Sequence, residues 1–361
     1  MHGLSPHVRP AENGFGSTTL VLISDTIPLV DMRPVTLFTA QFADIPLGTL
    51  ASKAREWGFD GLELGGHLDI RRASIDAAYC QEILAVLSNN HLQLFALSAH
   101  LIGQAVCDRI DERRHRPILP AHVWGDGEPE GVKQRAADEV IAAAHAAKNL
   151  GIRIVNGFTG SSIWHLLYAF PPVQPEQIDE GYDDFARRWK PILAEYDKCG
   201  VRFALEAHPS EIAFDIVSAE RALQAIDHHP SFGFNFDPSH LAYQGVDYIE
   251  FLRRFRSRIV HVHMKDVHFD WHRPCEAGVF GGHTAFGDAR RFFNFRTLGR
   301  GRIDFEGIVR TLNHIDYRGP LSVEWEDGDM DREEGARESL DFVRRLDFKR
   351  GNQAFDAAFS C

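Results

Sequence analysis

The sequence of 361 residues contains few cysteines, and none of them lie at a spacing typical of metal or redox sites. The five cysteines are scattered along the chain, and there is no C-x-x-C motif. An odd number of cysteines without paired spacing is typical of reduced thiols rather than of a disulfide framework. We therefore expect a cytoplasmic protein whose cysteines are reduced.

The sequence also lacks an excess of basic residues. It has 39 Lys and Arg against 51 Asp and Glu, which gives a formal net charge of −12. Proteins that bind nucleic acid or anionic membranes need clusters of Lys and Arg to neutralise phosphate groups. The charge therefore predicts that neither nucleic acid nor a membrane surface is a partner.

Long hydrophobic runs are missing as well. The apolar stretch 18–30 is interrupted by Ser24, Asp25 and Pro28, so it predicts neither a signal peptide nor a membrane span. Residues 1–33 are rich in Gly, Pro and His, and we expect them to form an irregular extension. Residues 34–348 are predicted to form one catalytic domain, and 349–361 a C-terminal tail.

From Pro34 onward, short apolar runs alternate with segments of helical periodicity. Eight such alternations with continuously apolar strands predict a parallel sheet buried on both faces, and we interpret it as a (β/α)₈ TIM barrel. A doubly wound open sheet is the alternative, but no G-x-G-x-x-G motif follows the first strand. The predicted strands are 35–39, 61–64, 92–97, 152–155, 201–206, 232–236, 259–263 and 321–325. The predicted helices are 46–57, 73–89, 131–149, 181–199, 218–228, 247–256, 304–314 and 333–345.

Three connections are long for this fold, and all of them follow strands: 98–130, 157–180 and 264–303. In a TIM barrel such connections rise from the C-terminal face, where substrate sites are built. Their aromatic content, which includes Trp164, Trp271 and Phe286, predicts ordered loops that cover a substrate. Gly151 and Gly200 stand at positions where a left-handed residue would end the preceding helix.

Four consecutive strands each deliver an acidic or imidazole side chain at the C-terminal end of an apolar run. A buried carboxylate costs several kcal/mol unless it is paired or bound to a metal. Several of them in one barrel mouth would repel one another without a cation, although buried ion pairs with Lys265 or an Arg are an alternative. Three carboxylates and one imidazole suit Mn²⁺ best, with Mg²⁺, Co²⁺ or Fe²⁺ as alternatives and Zn²⁺ less favoured. The predicted metal ligands are Glu206, Asp237, His263 and Glu324.

Other polar residues near the strand ends are candidates for contact with the substrate. His208 shares a strand face with Glu206, and we expect it to act as a general base or to donate a hydrogen bond to a substrate hydroxyl. A histidine that only packs beside the site is an equal alternative. His240 follows Asp237 and Pro238 and is expected to point over the site, whereas His261 lies one step deeper in the barrel. The remaining candidates for substrate binding are His100, Asn156 and Lys265, with Glu63 a weaker candidate.

Four segments together resemble the sugar phosphate isomerase/epimerase group of the xylose-isomerase-like TIM-barrel superfamily. They are LEAHP (205–209), NFDPSH (235–240), HVHMKD (261–266) and LSVEWE (321–326). The group includes ketose 3-epimerases, inosose dehydratases and the α subunits of C-glycoside deglycosidases. The resemblance implies the same four metal ligands, proton transfer by Glu206 and Glu324, and a substrate contact at His240.

The chain departs from the ketose epimerases at two positions that grip the free ketose in those enzymes. Ile212 stands where they have Glu, and Phe269 stands where they have Arg. These departures argue against epimerisation of simple ketohexoses.

Three enzymatic hypotheses follow. The first is a metal-dependent isomerase or epimerase that acts on a keto-sugar or keto-glycoside through an enediolate. The second is a β-eliminating lyase with His208 as base, either a dehydratase or a deglycosidase of 3-keto-glycosides that pairs with a small β subunit. The third is a DNA-repair endonuclease of the same superfamily, which the net charge disfavours. A non-enzymatic binding module is the least favoured class of protein. We also expect the protein to form an oligomer.

Overall fold

The computed structural model describes residues 32–168, 170–273 and 275–351. Its strands are β1 (Val35–Phe38), β2 (Gly61–Leu64), β3 (Gln93–Ser98), β4 (Ile154–Gly157), β5 (Arg202–Glu206), β6 (Phe232–Phe236), β7 (Ile259–Met264), β8 (Asp266–Phe269), β9 (Phe293–Arg296) and β10 (Leu321–Val323). Eight of them close into a parallel barrel in the order β1-β10-β7-β6-β5-β4-β3-β2, and helices lie between the strands. The predicted TIM barrel is therefore confirmed.

Six of the eight predicted helices agree with the structure to within three residues. The predicted helix 181–199 begins six residues earlier, at Pro175, and the short helix Pro238–Ala242 was not predicted. The predicted helix 73–89 is two helices, because Asp76 between them has an extended backbone and its side chain accepts a hydrogen bond from the Tyr79 N–H. The helices are α1 (Leu47–Trp57), α2 (Ile70–Ile75), α3 (Ala77–Asn89), α4 (His100–Gln104), α5 (Glu112–His115), α6 (Ala121–Trp124), α7 (Pro129–Asn149), α8 (Pro175–Cys199), α9 (Ile216–Ala225), α10 (Pro238–Ala242), α11 (Tyr248–Arg254), α12 (Phe305–His314) and α13 (Arg332–Leu346).

The strands are apolar because they are covered on both sides, by helices outside and by side-chain layers inside. Phe203 of β5, for example, is fully buried against Trp189 of α8, with ring centroids 4.4 Å apart. The predicted left-handed stops are present: Gly151 has φ +73° and Gly200 has φ +67°. Strand β4 starts two residues later than predicted, at Ile154. Residues 152–153 belong to the connection between α7 and this strand.

The long connections are more structured than the sequence predicts. The connection 98–130 contains the three short helices α4, α5 and α6. The connection 264–303 contains an antiparallel hairpin, in which β8 pairs with β9. Both connections follow barrel strands and border the cavity described below, as expected of the C-terminal face of a TIM barrel.

Most of the predicted N-terminal extension and C-terminal tail lies outside the described residues. Arg33 is described and buried, and its guanidinium pairs with Asp347 at 2.5 Å and with the Asn313 side chain at 2.6 Å. Within the described part of the chain, no helix combines the length and the apolar character needed to cross a lipid bilayer.

Candidate metal centre and active-site cavity

The structure brings the four predicted metal ligands together at the C-terminal mouth of the barrel. Glu206 ends β5 and His263 lies on β7, whereas Asp237 and Glu324 directly follow β6 and β10. One ligand atom from each of the four residues lies within 4.8 Å of all the others, and all four residues are buried. Their proximity results from the parallel barrel, because neighbouring strands end at the same edge.

His263 presents its two ring nitrogens to different groups. Its Nε2 lies 3.0 Å from Oε2 of Glu63 in a hydrogen bond. Its Nδ1 lies 3.0 Å from Oε2 of Glu206 and 2.8 Å from Oε2 of Glu324, but this atom makes no hydrogen bond. A carboxylate accepts and does not donate, so Glu63 assigns the proton to Nε2 and leaves the lone pair of Nδ1 directed at the cluster.

Several buried atoms of the cluster have no hydrogen-bond partner. Oδ2 of Asp237, Oε2 of Glu324 and Nδ1 of His263 are all buried without one. Lone pairs that converge without a donor are costly in a protein interior. A cation would satisfy all three atoms at once, so these residues fit a divalent metal. The donor set is mostly carboxylate oxygen, which Mn²⁺ and Mg²⁺ accept.

Burial and neighbouring charges act in opposite directions on the acidic residues. Burial alone would raise the pKa of Glu206, but the close imidazoles of His100 and His240 hold this pKa well below its usual value. Burial is also outweighed at Glu324, where the nearby Lys265 lowers the pKa to about 2. At Asp237 burial prevails and raises the pKa to about 6. Glu206 and Glu324 are therefore ionised at neutral pH.

Three predicted substrate contacts surround this cluster and line one cavity. His100 places Nε2 at 3.3 Å from Oε2 of Glu206, and His240 places Nε2 at 3.2 Å from its Oε1. Lys265 places Nζ at 3.2 Å from Oε1 of Glu324 and at 2.8 Å from Oε2 of Glu326. Burial would lower the pKa of Lys265, but Glu324 and Glu326 raise it well above its usual value, so the amine is charged.

His208 also lines this cavity, next to His240, with ring centroids 4.0 Å apart. Its Nδ1 is in close contact with the carbonyl oxygen of Pro209, which accepts and therefore places the proton on Nδ1. Burial lowers the pKa of His208 well below its usual value, and the nearby His240 lowers it further. His208 is therefore a neutral imidazole with the lone pair on Nε2.

Asn156 is not brought to the cavity. The prediction placed it at the end of β4, but the strand runs on to Gly157, so Asn156 lies inside the barrel. It pairs in register with Ala204, two residues before Glu206, and is therefore one side-chain layer below the ligands. The side chain is fully buried, and its Nδ2 donates to Oε1 of Glu63 at 2.7 Å. The structure thus gives Asn156 a supporting position beneath the site.

Glu63 is more central than the sequence indicates. It accepts hydrogen bonds from four side chains on three strands: Asn156, His261, His263 and Ser322. Glu63, His261 and His263 also form a second group with ligand atoms close enough to hold an ion. Glu63 is one of several polar residues at strand ends, and nothing in its local sequence distinguishes it.

Two residues beside the cluster were absent from the predicted site. Gln41, just after β1, places Nε2 at 3.4 Å from Oε1 of Glu324 and at 3.1 Å from Oε1 of Glu326. Phe38, at the end of β1, stacks on the His263 ring with centroids 5.2 Å apart. The only available signal was their position at the end of a barrel strand, which many residues share.

The two positions that differ from the ketose epimerases contribute no polar group to the cavity. Ile212 is buried in the hydrophobic core, and Phe269 packs against Trp271 and Phe292 on the hairpin. Glu211, next to Ile212, points elsewhere: its Oε2 accepts hydrogen bonds from the backbone N–H groups of Thr159 and Gly160, at 2.6 and 2.7 Å.

The cavity above the cluster has a volume of about 670 Å³. Its floor carries Glu206, His208, His240, Lys265 and Glu324. Its sides come from the connections after β1, β2, β3 and β7, with Phe158 after β4 and Tyr243 after β6. This size is within the usual range for small-molecule sites. The cavity is open to solvent on one side, so a small molecule has access to the buried carboxylates.

Comparison with known proteins agrees with this architecture. The family of xylose isomerase-like TIM barrels matches residues 51–346, and the chain belongs to this family. The uncharacterized protein YfiH of Bacillus subtilis is 30% identical over 321 residues, which cover 85% of this chain and 97% of that protein. Inosose dehydratase of Clostridium perfringens is 36% identical over 91 residues, 25% of this chain and 29% of that enzyme. The crystal structure of the 3-keto-D-glucoside 4-epimerase YcjR from E. coli shares the fold, with a TM-score of 0.60, 16% identity and coverage of 87% and 99%.

Proposed function

We propose that the chain is a divalent-metal-dependent enzyme that isomerises or epimerises a keto-sugar or keto-glycoside through an enediolate. The observation that carries this proposal is the buried cluster of Glu206, Asp237, His263 and Glu324 at the floor of an open cavity. One ligand atom each of Asp237, His263 and Glu324 has no hydrogen-bond partner. The names of relatives support the substrate class, because they include an inosose dehydratase and a 3-keto-D-glucoside epimerase.

Glu206, Asp237, His263 and Glu324 would hold the metal, for which we propose Mn²⁺. When bound, a divalent ion supplies Lewis acidity towards a carbonyl oxygen and the hydroxyl next to it. Glu63 orients His263 from below through the Nε2 hydrogen bond. Phe38 stacks on the ring of the same histidine.

The proton next to the substrate carbonyl is removed by a carboxylate at the floor of the cavity. Glu206 and Glu324 are both ionised, and they reach the site from strands separated by β6 and β7. In the proposed reaction one of them takes the proton, and the electrons of the C–H bond form the enediolate. Return of a proton to the opposite face gives an epimer, and return to the neighbouring carbon gives an isomer.

The second candidate is a β-eliminating lyase with the same metal site. Here His208 takes the proton through Nε2, and a substituent on the β-carbon leaves with the electron pair of its bond. Ile212 and Phe269 favour this reading, because neither offers the polar group that would hold a free ketose. A dehydratase would release water, and a deglycosidase would release an aglycone. A small second subunit would accompany the deglycosidase.

Proton exchange in D₂O tests both candidates. The Mn²⁺-loaded protein is incubated with D-fructose and with methyl 3-keto-β-D-glucopyranoside, and the products are followed by NMR. Deuterium next to the carbonyl in a stereo- or positional isomer supports the first candidate, and release of methanol or water supports the second. The same protein treated with EDTA is the control. Absence of exchange and of release with both sugars and with phenyl 3-keto-D-glucopyranoside would contradict the proposed function.

A further inference from the structure

The active-site cavity has two chemically different halves. The floor carries the carboxylates, the imidazoles and Lys265 described above. The wall that rises from the connections after β2 and β3 is aliphatic, and we call it the aliphatic wall. It consists of Leu68, Ile70, Leu101, Ile102, Ile118 and Pro120.

The polar side chains on this side of the cavity are held at the floor. Of the described residues that line the cavity from β1 to the end of β4, only Gln41, Ser98 and His100 are polar. Gln41 is bonded to Glu326, His100 lies against Glu206, and Ser98 is bonded to Nδ1 of His100 at 2.7 Å. None of the three belongs to the aliphatic wall. A ligand that lies above the floor therefore contacts only apolar side chains on this side of the cavity.

The opposite side of the cavity is aromatic. Phe293 and Phe295 line it from β9, and Phe286 lines it from the loop that joins β8 to β9. Leu101, on the aliphatic wall, is 54% exposed, and Phe286 is 61% exposed. Exposed apolar side chains on both sides of one catalytic cavity are typical of a site for an apolar group.

An unsubstituted ketose or inosose does not match this arrangement. Such a sugar carries hydroxyl groups around its whole ring, and those facing an apolar surface lose water without gaining a partner. A sugar ring at the polar floor can keep hydrogen bonds to its hydroxyl groups, while an apolar substituent between the two walls has no hydrogen bonds to lose. We propose that the substrate is a keto-sugar that carries an aryl group, which lies between the aliphatic wall and the aromatic hairpin. This inference rests on the proposed function and specifies its substrate class.

A pair of glycosides with one sugar and two aglycones tests this inference. Binding of methyl and phenyl 3-keto-D-glucopyranosides, each in both anomeric forms, is measured by calorimetry with the Mn²⁺-loaded protein. Because the phenyl group would be buried between the walls, we expect the phenyl glycoside to bind about ten-fold more tightly or better. Its binding should also show the more negative heat-capacity change that accompanies burial of apolar surface.

A matched pair of variants locates the effect. Leu101→Asn places a polar group in the wall at an exposed position, where folding tolerates it, and should remove most of the preference for the phenyl glycoside. Ile75→Asn changes a more exposed aliphatic residue that does not line the cavity, and should retain the preference. The affinity for the methyl glycoside should fall much less in Leu101→Asn than the affinity for the phenyl glycoside does, and Ile75→Asn should change neither.

The outcomes separate this inference from the proposed function. Equal affinity for the methyl and phenyl glycosides, together with proton exchange in D₂O, would overturn the apolar substituent and leave the enediolate chemistry intact. A phenyl preference that Leu101→Asn does not reduce would overturn the assignment to the aliphatic wall. Absence of binding and of exchange with every glycoside would overturn both.

Discussion

Glu63 accepts a hydrogen bond from Nε2 of His263 across the interior of the barrel, at 3.0 Å. Burial would raise the pKa of Glu63, but His263 and His261 hold it well below its usual value, so Glu63 is a carboxylate. It therefore acts only as an acceptor and fixes the tautomer of His263 that directs Nδ1 to the metal ligands. A residue that never touches the proposed metal thus determines how one of its ligands is presented.

Glu63→Gln should weaken binding of divalent metal by about ten- to a hundred-fold, the usual effect of losing a partner that orients a ligating histidine. The amide would offer an N–H to Nε2 and permit the other tautomer. Calorimetric titration with Mn²⁺ measures the change. Glu139→Gln is the matched control, because Glu139 is a buried carboxylate paired with His122 outside the site. Equal Mn²⁺ affinity in Glu63→Gln and the unaltered protein would refute the positioning role.

Glu324→Gln should abolish the rise in melting temperature that Mn²⁺ causes in the unaltered protein. Metal binding to the folded state alone stabilises it by about 2.7 kcal/mol at a hundred times Kd, and a lost ligand removes most of this effect. Thermal denaturation with and without Mn²⁺ is the measurement. In Glu326→Gln the rise should persist, because Glu326 contacts Lys265 and Gln41 but does not belong to the ligand cluster. A Mn²⁺-dependent rise of full size in Glu324→Gln would mean that Glu324 is not a ligand.

His208→Asn should leave Mn²⁺ binding unchanged and slow the conversion of substrate. If His208 acts as the general base, the loss is about 10²- to 10⁴-fold in kcat. His208 lines the cavity as a neutral imidazole, and the asparagine has no nitrogen lone pair to accept a proton. His314→Asn, at an exposed position outside the cavity, is the control. Unchanged kcat and KM in His208→Asn would show that His208 only packs beside His240.

Glu211 should make the stability of the protein fall with rising pH. Burial and the nearby Asp108 raise its pKa, the N–H groups of Thr159 and Gly160 lower it, and the resulting pKa is about 8. Because the pKa in the folded state lies above that in the unfolded state, the contribution to stability is complete below about pH 4.5. It is lost as the pH rises to about 8, at up to about 1.4 kcal/mol per pH unit.

Glu211→Gln removes this titration and keeps an oxygen for the two backbone N–H groups. We compare the free energy of unfolding of the variant with that of the unaltered protein at each pH. The difference in favour of the variant should be larger at pH 9 than at pH 5. Urea denaturation at a series of pH values measures the difference. Parallel curves for the two proteins over this range would show that Glu211 does not titrate as described.

The sequence by itself determined the barrel and the four residues of the candidate metal centre. Strands buried on both faces must be continuously apolar, so eight such runs could be recognised without a structure. A carboxylate or imidazole at the end of such a run is equally conspicuous, because it breaks the apolar pattern where the parallel strands meet. Glu206, Asp237, His263 and Glu324 are therefore visible in the linear order of the chain.

Only the tertiary structure decided what surrounds these residues. Glu63 and His263 are separated by 200 positions, and their hydrogen bond depends on the closure of the barrel. Asn156 lies in a lower layer because β4 ends two residues later than predicted, a shift that no local pattern reveals. The aliphatic wall and the hairpin face each other because separate connections fold over one mouth, and each is an ordinary apolar segment in sequence. Side-chain chemistry is encoded locally, whereas proximity depends on the long-range packing of the whole barrel.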